Sequence, residues 1–199
     1  MDEIALIRAA RAGDLDSFNR LVSTYQEMVY NQAYRMMGEG EAAADATQET
    51  FIAAYRNLTA YRGGSFRAWL MRIVTNACYD ELRRRKRRPT TPLEPIDDAG
   101  EDVESPHWLA DRSNLPEETI ERQELDLAIQ HCLNGLPDDF RTVVILVDMQ
   151  GLDYVEAAQA IGTPVGTIKS RLARARFRLR DCLQGFRELL PAIFRQGKR

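Results

Sequence analysis

The feature that most limits how this chain can fold is a proline-rich, acidic stretch at residues 89–118. Its five prolines are Pro89, Pro92, Pro95, Pro106 and Pro116, and its nine acids are opposed by Arg112 alone. Proline removes a backbone hydrogen-bond donor, and an excess of like charge disfavours a packed core. We therefore predict a flexible linker here, with a small domain on either side.

Both flanks of this linker carry apolar residues at helical spacing, with glycine or proline where helices should start and stop. Residues 143–147 could instead form a short buried strand, but Pro137 ahead of them and the helical patterns on both sides favour a helix. We predict an all-α protein with a helical bundle at 1–88, the linker at 89–118, a second helical domain at 119–185 and a tail at 186–199.

Composition limits the other possibilities. No segment approaches the roughly 20 apolar residues of a membrane span, and the acidic start is unlike a signal peptide, so we expect a cytoplasmic protein. The cysteines Cys78, Cys132 and Cys182 are few and scattered, which favours buried thiols over disulfides. His107 and His131 complete no metal-ligand spacing with them, so no metal and no cofactor are expected.

The charge distribution says more than the net charge of −3, which by itself argues weakly against nucleic-acid binding. An unbroken basic run covers 83–88. The second basic cluster contains no acid before Asp181, and its members are Lys169, Arg171, Arg174, Arg176, Arg178 and Arg180. Each predicted domain therefore carries one basic segment, and the acidic linker separates them.

The second domain contains a predicted helix-turn-helix. Asp153 and Glu156 form a plausible capping pair, and Gly162 supplies the turn. Thr163 is the expected cap of the next helix, with Pro164 in its first turn. That helix has one apolar stripe through Ile168, Leu172, Ala175 and Leu179, and an opposite face of Thr167, Ser170, Arg171, Arg174 and Arg178. A recognition helix in the major groove needs one face of each kind, although an ordinary solvated arginine-rich face is the alternative.

The last helix of the first domain has a polar and aromatic stripe beside its apolar one. Its members are three or four residues apart and share a face: Trp69, Arg72, Asn76, Asp80 and Arg83. Next to the glycine-containing turn at 61–65, this face suits unpaired DNA, because bases stack on aromatic rings and arginine binds phosphate. The alternative is a helix whose Trp69 is in the core and whose polar residues face water.

These residues also resemble a known family, the extracytoplasmic-function (ECF, group IV) sigma factors of bacterial RNA polymerase. Similarity to sigma region 2 lies in Asp45-Ala46-Thr47-Gln48-Glu49-Thr50-Phe51, Tyr55-Arg56, Phe66-Arg67-Ala68-Trp69-Leu70, Asn76 and Asp80. Similarity to region 4 lies in Leu136-Pro137, Phe140-Arg141, Gly151-Leu152, Tyr154, Glu156-Ala157-Ala158 and the run from Pro164 to Arg176.

The resemblance implies three binding surfaces. Promoter −10 binding would use Tyr61, Arg62, Ser65, Phe66, Trp69, Arg72, Asn76, Asp80, Arg83 and Arg84, with a flipped base held near Asn76. Binding of the −35 element would use Thr167, Lys169, Ser170, Arg171, Arg174, Arg176 and Arg178. Docking on the β′ clamp helices of core polymerase would use Asp45, Gln48, Glu49, Ile52 and Tyr55.

The resemblance also implies partners and excludes others. The partners would be core RNA polymerase, including its β subunit, promoter DNA and an anti-sigma factor, and the acidic linker would thread the polymerase channel. No small-molecule substrate and no membrane insertion are expected.

Three other functions compete with this one. A stand-alone helix-turn-helix regulator would explain residues 136–180 equally well but would leave the Trp69–Arg83 face unused. An enzyme such as a nuclease would need clustered carboxylates or a metal set near the basic faces, and neither occurs in the sequence. A pure interaction adaptor would not need the cationic face of the recognition helix.

Overall fold

The computed structural model of this chain describes residues 2–87 and 116–191, with side chains from residue 122 onward in the second range. The predicted linker lies outside the described residues except for its last three positions, which begin a helix. The helices are α1 (Glu3–Arg11), α2 (Leu15–Met37), α3 (Gly40–Asn57), α4 (Phe66–Arg87), α5 (Pro116–Asn134), α6 (Asp138–Val144), α7 (Tyr154–Ile161) and α8 (Val165–Gln184). No strand occurs in these two ranges.

The described helices form two compact units, α1–α4 in one and α5, α6, α8 and most of α7 in the other. The predicted all-α, two-domain architecture is confirmed. The ambiguous segment at 143–147 is helical, because α6 continues directly into a π-helical turn at Ile145–Met149. Helix α1 has no counterpart in the sequence prediction.

Local sequence sets the ends of α2. Asp14 caps its start by accepting hydrogen bonds from the backbone N–H groups of Asp16 and Ser17 and from the Ser17 hydroxyl. These bonds favour the charged carboxylate and lower the pKa of Asp14. At the other end Gly38 takes a left-handed φ of 75°, which a side-chain-bearing residue adopts at a steric cost.

The core of the first unit lies where α2, α3 and α4 pack together. Leu21, Val29, Met36, Leu70 and Val74 are all almost completely buried. Inside this core the Gln32 side chain donates to the Thr75 hydroxyl over 3.5 Å, a polar link between α2 and α4. The packed core fixes the faces that α3 and α4 turn outward.

Helix α4 is held at its start by the turn before it. Gly63 and Gly64 have φ values of 94° and 92°, so both adopt left-handed backbone conformations that suit glycine. The Tyr61 hydroxyl donates to the Gly64 carbonyl over 2.7 Å, which closes the turn. Ser65 accepts from the Ala68 N–H, so its side chain caps the start of this helix.

One buried arginine organises the second unit. Arg141 on α6 is 9% exposed, and its guanidinium donates to the carbonyl oxygens of Leu133 (2.9 Å), Asn134 (3.1 Å) and Leu136 (3.2 Å). Carbonyls at the end of a helix lack partners within it, so Arg141 satisfies the end of α5 and the link to α6.

The cysteine prediction was wrong in part. Cys132 on α5 and Cys182 on α8 form a disulfide, with a Cα–Cα distance of 5.7 Å. The two residues are 50 positions apart, and only the packing of α5 beside α8 brings them together. Cys78 is a buried thiol, as predicted, and burial raises its pKa to about 12. Such a thiol is chemically inert at neutral pH.

Candidate nucleic-acid interface

The helix-turn-helix is present in α7 and α8. The Asp153 carboxylate accepts from the N–H groups of Val155 (2.7 Å) and Glu156 (2.8 Å), and the Glu156 carboxylate accepts from the Asp153 N–H (3.1 Å). This is the predicted reciprocal capping pair. Gly162 turns the chain with a φ of 64°. The predicted Thr163 cap is wrong: Pro164 occupies the N-cap position of α8 and makes no side-chain capping bond.

Helix α8 has the two faces that its sequence predicts. Ile168, Leu172 and Ala175 are buried at 2% exposure or less, and Leu179 is half-buried. Of the residues predicted to bind DNA, Lys169, Ser170, Arg174, Arg176 and Arg178 are exposed, while Thr167 and Arg171 are half-buried. The buried stripe anchors the helix to its domain and leaves the cationic face open to solvent.

Acidic side chains from α6 and its π-helical turn hold two of these arginines. The Arg171 guanidinium lies 2.6 Å from the Asp139 carboxylate. Arg176 makes two bonds to Asp148, of 2.9 Å from Nε and 2.5 Å from Nη2. The hydrogen bonds to Asp148 raise the pKa of Arg176, which is charged at any physiological pH in either case.

The other cations of α8 are placed differently. Lys169 lies 5.5 Å from the ring centre of Tyr154, and Arg178 lies 5.2 Å from that of Phe140, both at cation–π range. Arg174 is exposed and forms no ion pair within the described ranges. Arg174 is therefore the arginine of this face that is most available to a DNA base.

The predicted −10 face of α4 borders a groove of about 980 Å³ between α3 and α4. Trp69, Arg72, Asn76, Asp80 and Arg84 all line this groove. Arg72 and Asn76 are exposed, and Trp69 is half-buried. Ring, cation and amide thus lie along one groove, beside six carboxylates that also line it. An aromatic ring and an arginine are groups on which an unpaired base can stack.

The basic end of α4 is partly neutralised. Arg83 pairs with Asp80 over 3.2 Å and Arg84 with Glu81 over 2.6 Å. Arg85 bonds to both Glu81 (2.9 Å) and Glu39 (2.7 Å), and these contacts raise its pKa. The first three cations of the basic run, Arg83, Arg84 and Arg85, are therefore held in ion pairs.

Two aromatic residues of the predicted −10 set lie in the core. Phe66 is 2% exposed and Tyr61 is 7% exposed. Their rings are 5.4 Å apart, and each lies within 5.4 Å of the Trp69 ring. Phe66 and Tyr61 therefore pack against the Trp69 ring. Of the other residues predicted in this segment, Arg62 is exposed and Ser65 is half-buried.

The predicted polymerase-binding residues of α3 divide between two grooves. Asp45 and Glu49 line the α3–α4 groove, beside Arg72 and Arg84. Gln48, Ile52 and Tyr55 line a second groove of about 570 Å³ between α2 and α3. Ile52 is 44% exposed and Tyr55 is 41% exposed, so both apolar side chains are accessible at this groove.

A cluster of metal ligands or a membrane-spanning helix would indicate a different class of function. No group of three or more potential metal ligands occurs in the described ranges. No helix described there is long and apolar enough to cross a membrane.

Comparison with known proteins identifies the family. The family model of sigma-70 region 2 matches residues 21–88, and that of sigma-70 region 4 matches residues 126–179. The ECF RNA polymerase sigma factor SigE of Mycolicibacterium smegmatis is 38% identical over 85% of this chain and 62% of its own length. The RNA polymerase sigma-H factor of Pseudomonas aeruginosa is 36% identical over 90% of this chain and 92% of its own.

A solved structure shows the same fold. CnrH, in complex with the cytosolic domain of CnrY, superposes with a TM-score of 0.65 at 26% identity, covering 92% of this chain and 97% of CnrH. The chain belongs to the sigma-70 family of RNA polymerase sigma factors, in its extracytoplasmic-function branch. The alternative of a stand-alone regulator finds no support, because region 2 is matched as well as region 4.

Proposed function

We propose that this sigma factor binds its partners through three of the surfaces described above. The α2–α3 groove, with the neighbouring acids of α3, docks on the β′ clamp helices of core polymerase. The α3–α4 groove and the turn at 61–65 bind the unpaired strand of the −10 element. The exposed face of α8 binds the −35 duplex, and the chain has no catalytic activity of its own.

One observation carries this proposal: the exposed faces of α4 and α8 differ in chemistry. The α8 face offers a row of exposed cations on a single helix, which suits the major groove of a duplex. The α4 face offers Trp69 beside Arg72 and Asn76 in a groove, which suits a base removed from its stack. Stacking on a ring returns roughly 1–3 kcal/mol of the few kcal/mol that unstacking costs.

The ion pairs of α8 suggest that its arginines make different contacts with DNA. Asp139 and Asp148 hold Arg171 and Arg176 in ion pairs, so each of these two guanidinium groups exchanges a carboxylate for a phosphate when DNA binds. Arg174, which lacks such a partner in the described structure, would reach a guanine edge. Lys169 and Arg178, lying against rings, would contact phosphates.

The remaining partners also belong to this proposal. The acidic linker would occupy the basic channel of the polymerase, and the protein would act in the cytoplasm, where that enzyme lies. CnrH, the structural relative, is bound by the cytosolic domain of CnrY. An anti-sigma protein would likewise bind this chain.

Run-off transcription on the promoters of the host tests the proposal. Purified chain with core polymerase should initiate at defined sites, and core polymerase alone should not. The Arg171→Ala, Arg174→Ala double variant should lose initiation and duplex binding while still co-purifying with core polymerase. Ile52→Glu should lose co-purification while keeping duplex binding. If the wild-type chain failed to initiate on any host promoter, the proposal would be wrong.

A further inference from the structure

A cavity of about 640 Å³ lies on the side of the glycine turn that faces α1. Its walls are formed by α1 and by residues 59–64, and three arginines line it: Arg8 and Arg11 from α1 and Arg62 from the turn. All three are exposed. Neither the family models nor the predicted promoter-binding set includes α1, so two of these arginines have no assigned role.

The charge of this cavity is strongly positive. Glu3 is the acidic residue in its lining, and Glu3 accepts a hydrogen bond from the Tyr25 hydroxyl. Arg8 and Arg62 make no ion pair within the described ranges. This differs from the end of α4, where carboxylates pair with Arg83, Arg84 and Arg85. The cavity therefore presents cations whose charge is available to an anion.

The cavity and the proposed −10 groove are lined by neighbouring residues of the segment at 59–61. Ala60 and Trp69 line the α3–α4 groove, while Thr59 and Tyr61 line the cavity. The Trp69 and Tyr61 rings are 5.3 Å apart. Arg11 donates to the Thr59 carbonyl over 3.3 Å, which ties α1 to this segment. Arg62 is thus part of the turn that follows this segment, and Arg11 is bonded to the segment itself.

We propose that α1 and the turn form a second nucleic-acid site, which binds the sugar-phosphate backbone of the unpaired DNA strand beyond the α3–α4 groove. The inference rests on the proposed function of that groove. Phosphate contacts of this kind carry no sequence information but fix the register of the strand. Bending a duplex over a short site costs of order 1–6 kcal/mol, a cost that an unpaired strand does not incur, so a concave site between a helix and a tight turn favours a single strand.

The test uses the full chain and a fluorescein-labelled single-stranded DNA of mixed sequence, about 20 nucleotides long to span both sites. Binding is followed by anisotropy over a range of salt concentrations. Arg8→Glu should weaken binding at least about fivefold near 0.1 M salt and should reduce the salt slope by about 0.7 for each phosphate that the variant no longer neutralises. Arg20→Glu, the same change at an exposed position of α2 outside the cavity, should alter the affinity by less than about twofold.

Two further arms separate this inference from the proposed function. Arg72→Glu tests the α3–α4 groove and should weaken the same single strand. If Arg72→Glu weakens binding but Arg8→Glu matches Arg20→Glu, the cavity inference is overturned and the proposed function stands. If Arg8→Glu weakens binding and Arg72→Glu does not, the α1 site is supported and the proposed strand path fails.

The remaining outcomes are also decisive. An equal effect of Arg8→Glu on a duplex of the same sequence would overturn the assignment to a single strand. Failure of the wild-type chain to bind any single strand, even at low salt, would overturn the inference, whereas run-off transcription would still decide the proposed function. Circular dichroism establishes that each variant is folded, which the exposure of all three positions leads us to expect.

Discussion

Arg176 on α8 and Asp148, in the π-helical turn that follows α6, form a two-bond ion pair, with distances of 2.9 and 2.5 Å. The pair joins the recognition helix to the element that packs behind it. Arg171 and Asp139 form a second such link at 2.6 Å. The cationic face of α8 is thus held at two points by acids from one neighbouring element, and this arrangement has measurable consequences.

The first prediction concerns stability. Asp148→Asn should lower the free energy of unfolding of the second unit by about 0.5–1 kcal/mol, the usual range for an accessible pair of good geometry. Hydrogen exchange of peptides from α6 and α8 would measure this locally. Asp181→Asn, an exposed acid of α8 without an ion pair in the described structure, should leave exchange unchanged. Equal effects of the two substitutions would show that the Arg176–Asp148 pair does not contribute to the stability of the second unit.

The second prediction concerns duplex binding. Asp139→Asn removes a carboxylate that competes with phosphate for Arg171, so binding to a duplex of mixed sequence should strengthen a few-fold. The salt slope should steepen by up to about 0.9, the value for one additional phosphate contact. Anisotropy titrations at several salt concentrations would measure both quantities. Asp181→Asn is again the control, and a flat response to Asp139→Asn would mean that Arg171 does not contact the duplex.

The third prediction concerns Arg141. Arg141→Met keeps an apolar stem of similar length but leaves three carbonyl groups without their donor. Each buried carbonyl left unpaired costs about 1–3 kcal/mol, so a decrease of at least about 3 kcal/mol in the free energy of unfolding is expected for the second unit. Duplex binding should fail with unfolding of this unit, while co-purification with core polymerase through the first unit should persist. Arg187→Met, at an exposed position, should change neither the free energy of unfolding nor duplex binding.

The fourth prediction concerns the disulfide. In the chain-entropy view, opening a loop of 50 residues lowers stability by about 4 kcal/mol, and this should appear as faster exchange in α5–α8 after reduction. Cys132→Ser should reproduce the effect without reductant, whereas Cys78→Ser, which keeps the disulfide, should exchange in α5–α8 like the wild-type chain both before and after reduction. Thiol titration in denaturant should give one reactive thiol before reduction and three after it. Three thiols in the unreduced chain would contradict the pairing.

Sequence patterns were sufficient where the determining interactions are local. The capping pair of Asp153 and Glu156 and the turn at Gly162 lie within a few residues of each other, so spacing alone predicted them. The buried stripe of α8 followed from helical periodicity. The cap at Thr163 was predicted wrongly because Pro164, with its fixed φ, occupies the capping position itself.

The sequence by itself determined that two helical domains form on either side of an acidic, proline-rich stretch, and that each carries a cationic helix face. Only the tertiary structure decided which cations are available, because ion pairing depends on which helices pack together. Asp148 lies 28 residues from Arg176 and holds it, whereas no carboxylate pairs with Arg8 in the described ranges. The disulfide and the cavity beside α1 have the same origin, since each is built from segments about 50 residues apart that meet only in the packed fold.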